Sequence, residues 1–128
     1  MELNMDNICE LSAKSVASLI RKRETSSQEV VASYLHRIDK VNSKVNAVVQ
    51  IDRDKALEEA AAADKILRDG DSIGVLHGVP FTVKDNIETK DIVCACGTEG
   101  LRNNVPSSDA TVVARMRAAG GILLGKTN

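Results

Sequence analysis

The chain has 128 residues, enough for one domain with a core and too few for two independent ones. Its 43% hydrophobic and 27% charged residues match globular averages and exclude the disordered and fibrous classes, while a net charge of −1 implies no polyanion partner. With one Tyr and one Phe the core has to be aliphatic, and nucleic-acid reading by aromatic stacking is excluded.

The segment Met1 to Asp6 shows no basic stretch followed by an apolar one, and nothing in the chain approaches the roughly 18 apolar residues of a membrane span. A cytoplasmic chain with no membrane contact is expected. From Ser12 to Arg23, Ala13, Val16, Ala17, Leu19 and Ile20 recur at helical spacing behind a capping serine, and Arg21-Lys22-Arg23 complements the negative end of that helix. Ser26-x-x-Glu29 is a capping box that opens a second helix. Val30, Tyr34, Ile38 and Val41 line one face, Val31 and Leu35 widen it, and Asn42-Ser43 is expected to end it.

Asn46 to Ile51 is rich in β-branched residues and reads as extended. Asp52 to Arg68 is a third helix, whose Ala60 to Ala63 run suits close packing against a neighbour. Gly70 and Gly74 bracket a turn. Val79 to Val83 is a strand with Lys84 at its carboxyl end. Asn86 to Ser108 has no sustained period and is long for a connection in a compact domain, a feature of functional loops.

Asp109 is expected to cap a fourth helix running to Ala119, closed by Gly120, before Ile122-Leu123-Leu124 forms a buried strand. The whole predicts an α/β fold, mainly helical over 1–70 and strand-loop-helix-strand over 71–128, with a crossover between the last two strands. The last strand is expected to lack cover on its other side, which predicts an incomplete sheet and poor solubility for the isolated piece.

Three cysteines, Cys9, Cys94 and Cys96, are an odd number, and no structural disulfide is expected. Cys94-Ala95-Cys96 lacks a second cysteine pair, and His36 and His77 stand at no recognisable ligand spacing, so no metal or cofactor is expected. Gly120 to Thr127 has the spacing of a phosphate-binding P-loop. The context is wrong for one: a helix is expected before Gly120, strand formers fill the loop, and no helix is expected after Lys126-Thr127.

The stretch Leu76-His77-Gly78-Val79-Pro80-Phe81-Thr82-Val83-Lys84-Asp85-Asn86 resembles the amidase signature family. The likeness continues in order through Gly97-Thr98, Val105-Pro106, Asp109-Ala110-Thr111-Val112-Val113-Ala114-Arg115, Ala118-Ala119-Gly120 and Gly125-Lys126-Thr127-Asn128. It covers the second half, and the first half is similar in layout.

The resemblance implies the amino-terminal part of a single amidase domain, with helices packed on a mixed sheet. It also implies cleavage of an amide C–N bond by a Ser, cis-Ser, Lys triad, in which Lys84 is the base. Both serines belong to a Gly-Ser-rich element that follows Gly-Lys-Thr-Asn in such enzymes, so this chain is expected to supply the lysine and to be inactive alone. Ser107 and Ser108 lie earlier, in a Pro-Ser-Ser-Asp turn that reads as helix-cap chemistry.

A lysine acts as a base only when neutral, against an ordinary pKa near ~10.4, which calls for an apolar setting worth roughly 3 to 5 kcal/mol. Phe81 and Val83 are the expected surroundings. Asp85, Asn86 and Asn128 are candidates for orienting groups by hydrogen bonds, and Lys126 is expected to be structural. A small-molecule amide is the implied substrate. The alternatives are the glutaminase subunit of a tRNA-dependent amidotransferase, working with partner subunits, and a non-catalytic fragment. Cys94-Ala95-Cys96-Gly97-Thr98-Glu99 departs from the Thr-Cys-Ala-Ser pattern of the glutaminase branch and favours a general amidase.

Overall fold

A computed structural model describes residues 5–128; the first four residues, which belong to the segment read for a targeting signal, lie outside the described residues. A short helix α1 (Met5–Ile8), which no periodicity predicts, precedes α2 (Ala13–Arg21). The Ser12 hydroxyl accepts from the Ser15 amide and caps α2. Arg21 and Arg23, at and just past its end, donate to the carbonyls of Gly74 and Leu67.

Helix α3 (Ser27–Val45) opens on the expected capping box, in which the Ser26 hydroxyl accepts from the Glu29 amide at 3.1 Å and the Glu29 carboxylate accepts from the Ser26 amide at 2.8 Å. The bond from the Ser26 amide, joined by those from the Ser26 and Thr25 hydroxyls, holds the Glu29 carboxyl below its ordinary pKa. Contrary to expectation, Asn42 does not end the helix. Its side chain accepts from the Ala47 and Val48 amides and donates to the Val48 carbonyl, while Asn46 in the left-handed conformation (φ 46) makes the break. The extended segment is accordingly shorter than expected, β1 (Val48–Ile51).

Asp52 caps α4 (Arg53–Asp69) through the Lys55 amide. Ala56, Ala60 and Ala63 are buried on one face, where their small side chains let α4 approach Val31 and Leu35 of α3. Then come β2 (Pro80–Lys84), a long irregular connection with one 3-10 turn at Glu99–Leu101, α5 (Thr111–Ala118) and β3 (Ile122–Thr127). Asp109 does not cap α5; the N-cap is Ala110, which makes no side-chain cap bond, and neither Ser107 nor Ser108 takes that position. The Asp109 carboxylate accepts from the Lys90 amide instead, tying the start of the long connection to its end. Gly120 (φ +92) closes α5 at a point where a Cβ would sit 2.7 Å from His77 Cα.

The sheet order is β1-β3-β2, with β2 and β3 parallel and β1 antiparallel to β3. The fold is therefore α/β with a mixed sheet and α5 as crossover. One expectation is corrected: the other side of β3 is occupied, by β1, so β3 is the central strand. Its register against β2 jumps from Phe81↔Leu123 to Thr82↔Gly125, which leaves Leu124 as an extra residue. Ile122 and Leu124 pack with α3 and α4, and Leu123 packs with Val83 and Val113 on the α5 face. Helices on both faces explain why this strand is a continuous apolar run. A separate cluster of Ile8, Val16, Ala17, Ile20, Val30 and Val79 seats α2 against α3. No helix among the described residues is long and apolar enough to cross a membrane.

Candidate active-site cleft

Lys84 ends β2, next to β3, and a cavity of about 500 Å³ opens there. Lys84, Asp85 and Asn86 line one side of it, Val49, Gln50 and Asn128 another, and the Ala95-Cys96-Gly97 turn of the long connection completes the wall. Four residues singled out from the sequence, Lys84, Asp85, Asn86 and Asn128, thus come to one cleft. Carboxyl ends of parallel strands in α/β sheets are where ligands commonly bind.

Lys84 is exposed at the cleft, and its expected apolar surroundings are absent. Val83 faces the α5 side with Leu123 and Val113, Phe81 packs against the same cluster, and the pleat turns the next residue, Lys84, away from them.

Asp85 is buried and ties three segments together. Its amide donates to the Thr127 carbonyl at 2.7 Å, its carboxylate accepts from Gln50 Nε2 at 3.1 Å, and its carbonyl accepts from Cys94 Sγ at 2.9 Å. Asn86 is exposed at the cleft mouth. Asn128 donates through Nδ2 to the Asn46 carbonyl at 2.6 Å and through its amide to the Ala47 carbonyl at 2.9 Å, fixing the end of β3 to the start of β1.

Gln50 escaped sequence reasoning. Its amide group donates both to Asp85 and, at 2.7 Å, to the Val93 carbonyl, so it joins β1, the end of β2 and the long connection. A glutamine in a four-residue strand carries no local signal for such a role; only pairing across the sheet reveals it. Gly125 permits that pairing, since a Cβ there would lie 1.9 Å from the Gln50 carbonyl oxygen.

Lys126 has no exposed surface, and its ammonium donates to the Ile87 carbonyl and to Thr89 Oγ1. It holds down the turn that follows Lys84 and presents no free ammonium. The P-loop spacing is occupied by β3 itself, with Gly125, Lys126 and Thr127 paired to Thr82, Val83 and Lys84.

Cys94 is buried and Cys96 exposed, with sulfurs 3.9 Å apart, and all three cysteines are thiols. Burial, with the neighbouring Cys96 as a second cause, pushes the Cys94 thiol pKa up. His77 is a buried loop residue whose Nε2 lies 3.0 Å from the Ala63 carbonyl, and His36 is on the exposed side of α3. Among the described residues no three His, Cys, Asp or Glu side chains are grouped closely enough to hold a metal ion. A second depression, about 570 Å³, lies at the α2–α3 turn, and several of its polar groups hold the turn together. Glu29 serves the capping box, Asp64 accepts from the Ser27 and Gln28 amides, and Arg23 holds Leu67.

A family model described as Amidase matches residues 29–128. The chain is 41% identical over 119 residues to a glutamyl-tRNA(Gln) amidotransferase subunit of Desulforudis audaxviator, covering 93% of this chain and 24% of that protein. It is 37% identical over 122 residues to an acylamidase of Rhodococcus erythropolis, covering 95% and 26%. Among solved structures, the peptide amidase of Stenotrophomonas maltophilia superposes with a TM-score of 0.86 at 35% identity, covering 93% of this chain and 25% of that one. The chain thus spans about a quarter of the length of the relatives it matches.

Proposed function

We propose, from the premise that this chain belongs to the Amidase family, that Lys84 is the proton acceptor of an amide-hydrolysing site whose nucleophile comes from elsewhere in the protein. The observation that carries the reading is the meeting of Lys84, Asp85, Asn86 and Asn128 at one cleft, at the carboxyl end of a parallel strand. Asp85 is locked to β1, β3 and the long connection, so the backbone next to Lys84 is rigid, as a positioned base requires.

In this reading a serine hydroxyl entering the cleft passes its proton, directly or through a second serine, to the neutral Lys84 amine while its oxygen attacks the amide carbon. The leaving nitrogen takes that proton back. Neutral lysine needs a dry site, and because Lys84 is exposed here the reading requires the segment bearing the nucleophile to supply apolar cover as well. The substrate class is a small-molecule amide.

The test is a chimera in which this chain replaces the matching quarter of the Rhodococcus acylamidase. Lys84→Ala in that protein should lower hydrolysis of a simple acyl amide by at least about a hundredfold, with an unchanged melting temperature. Near-normal turnover by the variant refutes the assignment.

A glutaminase role within a multi-subunit amidotransferase is the second reading, favoured by the 41% identity to the Desulforudis protein. It requires glutamine hydrolysis that rises when partner subunits are added. The turn at Cys94 to Glu99, unlike the Thr-Cys-Ala-Ser pattern, favours the simpler amidase.

A further inference from the structure

We propose that Cys94 and Cys96 are a two-electron redox pair in the cleft wall, which closes to an intrachain disulfide when the chain meets a hydroperoxide. Residues two apart on a regular strand are separated by roughly 6.6 Å. Here the thiols stand 3.9 Å apart, and Cys96 holds the left-handed conformation (φ 53) inside the turn that the Thr98 amide closes on the Ala95 carbonyl. A non-glycine residue there costs on the order of 1 kcal/mol or more, so the surroundings impose the conformation.

The two thiols have unlike settings. Cys96 is exposed and lines the cavity, so an oxidant dissolved in the cleft reaches it first. Cys94 is 1% exposed, shielded from direct attack, and its hydrogen faces the Asp85 carbonyl. Burial raises the Cys94 thiol pKa, which leaves the first attack on an oxidant to Cys96.

The Cys96 thiolate attacks a peroxide oxygen, the O–O bond breaks, and the alkoxide leaves as alcohol with the proton Cys96 lost, giving a sulfenic acid. The Cys94 sulfur then attacks the Cys96 sulfur, the S–O bond breaks, and hydroxyl leaves as water with the Cys94 proton. Two electrons pass from the dithiol to the peroxide. The sulfurs must close from 3.9 Å to about 2.05 Å, which rotation of the exposed Cys96 side chain can begin without opening the core. Closure takes Cys94 Sγ from the Asp85 carbonyl, one residue from Lys84, and so couples the redox state of the wall to the cleft.

The test treats the full chain with hydrogen peroxide, followed by thiol titration and peptide mass mapping. The titre should fall from three thiols to one, with a loss of two hydrogens in the peptide holding Cys94 and Cys96, reversed by dithiothreitol. Cys9→Ser should still lose two thiols, and the intrachain product should vanish in both Cys96→Ser and Cys94→Ala. A Cys96 sulfinic acid beside an intact Cys94 thiol, or an interchain disulfide through Cys96, overturns the proposal. So does a titre that stays at three thiols.

Discussion

Replacing Gly125 by alanine tests how the cleft is assembled. An added Cβ would lie 1.9 Å from the Gln50 carbonyl oxygen and 3.1 Å from Ile51 Cα, both backbone atoms of β1 that no rotamer change can move. Carbon–oxygen contacts settle at about 3.3 Å or more, so β1 has to retreat by roughly 1.4 Å. That retreat disturbs the pairs Gln50↔Lys126 and Ile51↔Gly125 and pulls Gln50 Nε2 from the Asp85 carboxylate. Overpacking costs about 1–3 kcal/mol, and loss of a hydrogen bond to a charged group adds about 1.5–3 kcal/mol. At about 4 °C per kcal/mol for a chain of this size, the melting temperature followed by circular dichroism should fall by roughly 10–24 °C. Gly100→Ala is the control, since the nearest atom to its Cβ is Thr98 Oγ1 at 4.0 Å, and it should melt with the parent. If Gly125→Ala also melts with the parent, β1 is not held against β3 as described.

Tyr34 is the single tyrosine, and burial, with Cys9 as a second cause, raises its pKa above the ordinary 10.0. Its neutral form is favoured by folding, so its share of the stability is intact below pH 10 and lost as pH rises through the raised value. Tyrosinate absorbance should therefore appear at higher pH in the folded chain than in urea; coincident curves would contradict the burial. Lys126→Met keeps the volume, removes a buried ammonium and cuts its bonds to Ile87 and Thr89, so gain and loss offset and global stability should change by less than about 2 kcal/mol. The Ile87 amide, bonded to the Lys84 carbonyl, should nevertheless exchange hydrogen faster, and unchanged exchange would show that Lys126 does not pin the turn.

The helices were legible because their signals are local. Ser12, Ser26 and Asp52 cap within three residues of themselves, and the apolar stripes repeat every turn. Local signals also misled where a side chain found a distant or unexpected partner. Asp109 has the chemistry of a cap, yet it bonds the Lys90 amide across the long connection; Asn42 has the chemistry of a stop, yet it braces the helix that runs past it.

The order and spacing of the candidate site residues were in the sequence by itself: Lys84 at a strand end, Asp85 and Asn86 after it, Asn128 closing another strand, with a family likeness running through them. Which face each would take was decided only by the tertiary structure. Strand β1 inserts beside β3, the extra residue at Leu124 shifts the register, and Lys84 emerges on the open side while Lys126 is buried. Asp64, far along the chain, supplies acceptors to the first amides of α3, and Gln50 links three segments around Asp85. The physical reason is range. Helix propensity and capping are settled among neighbours, whereas sheet pairing and the satisfaction of buried polar groups depend on segments that meet only after the chain has folded.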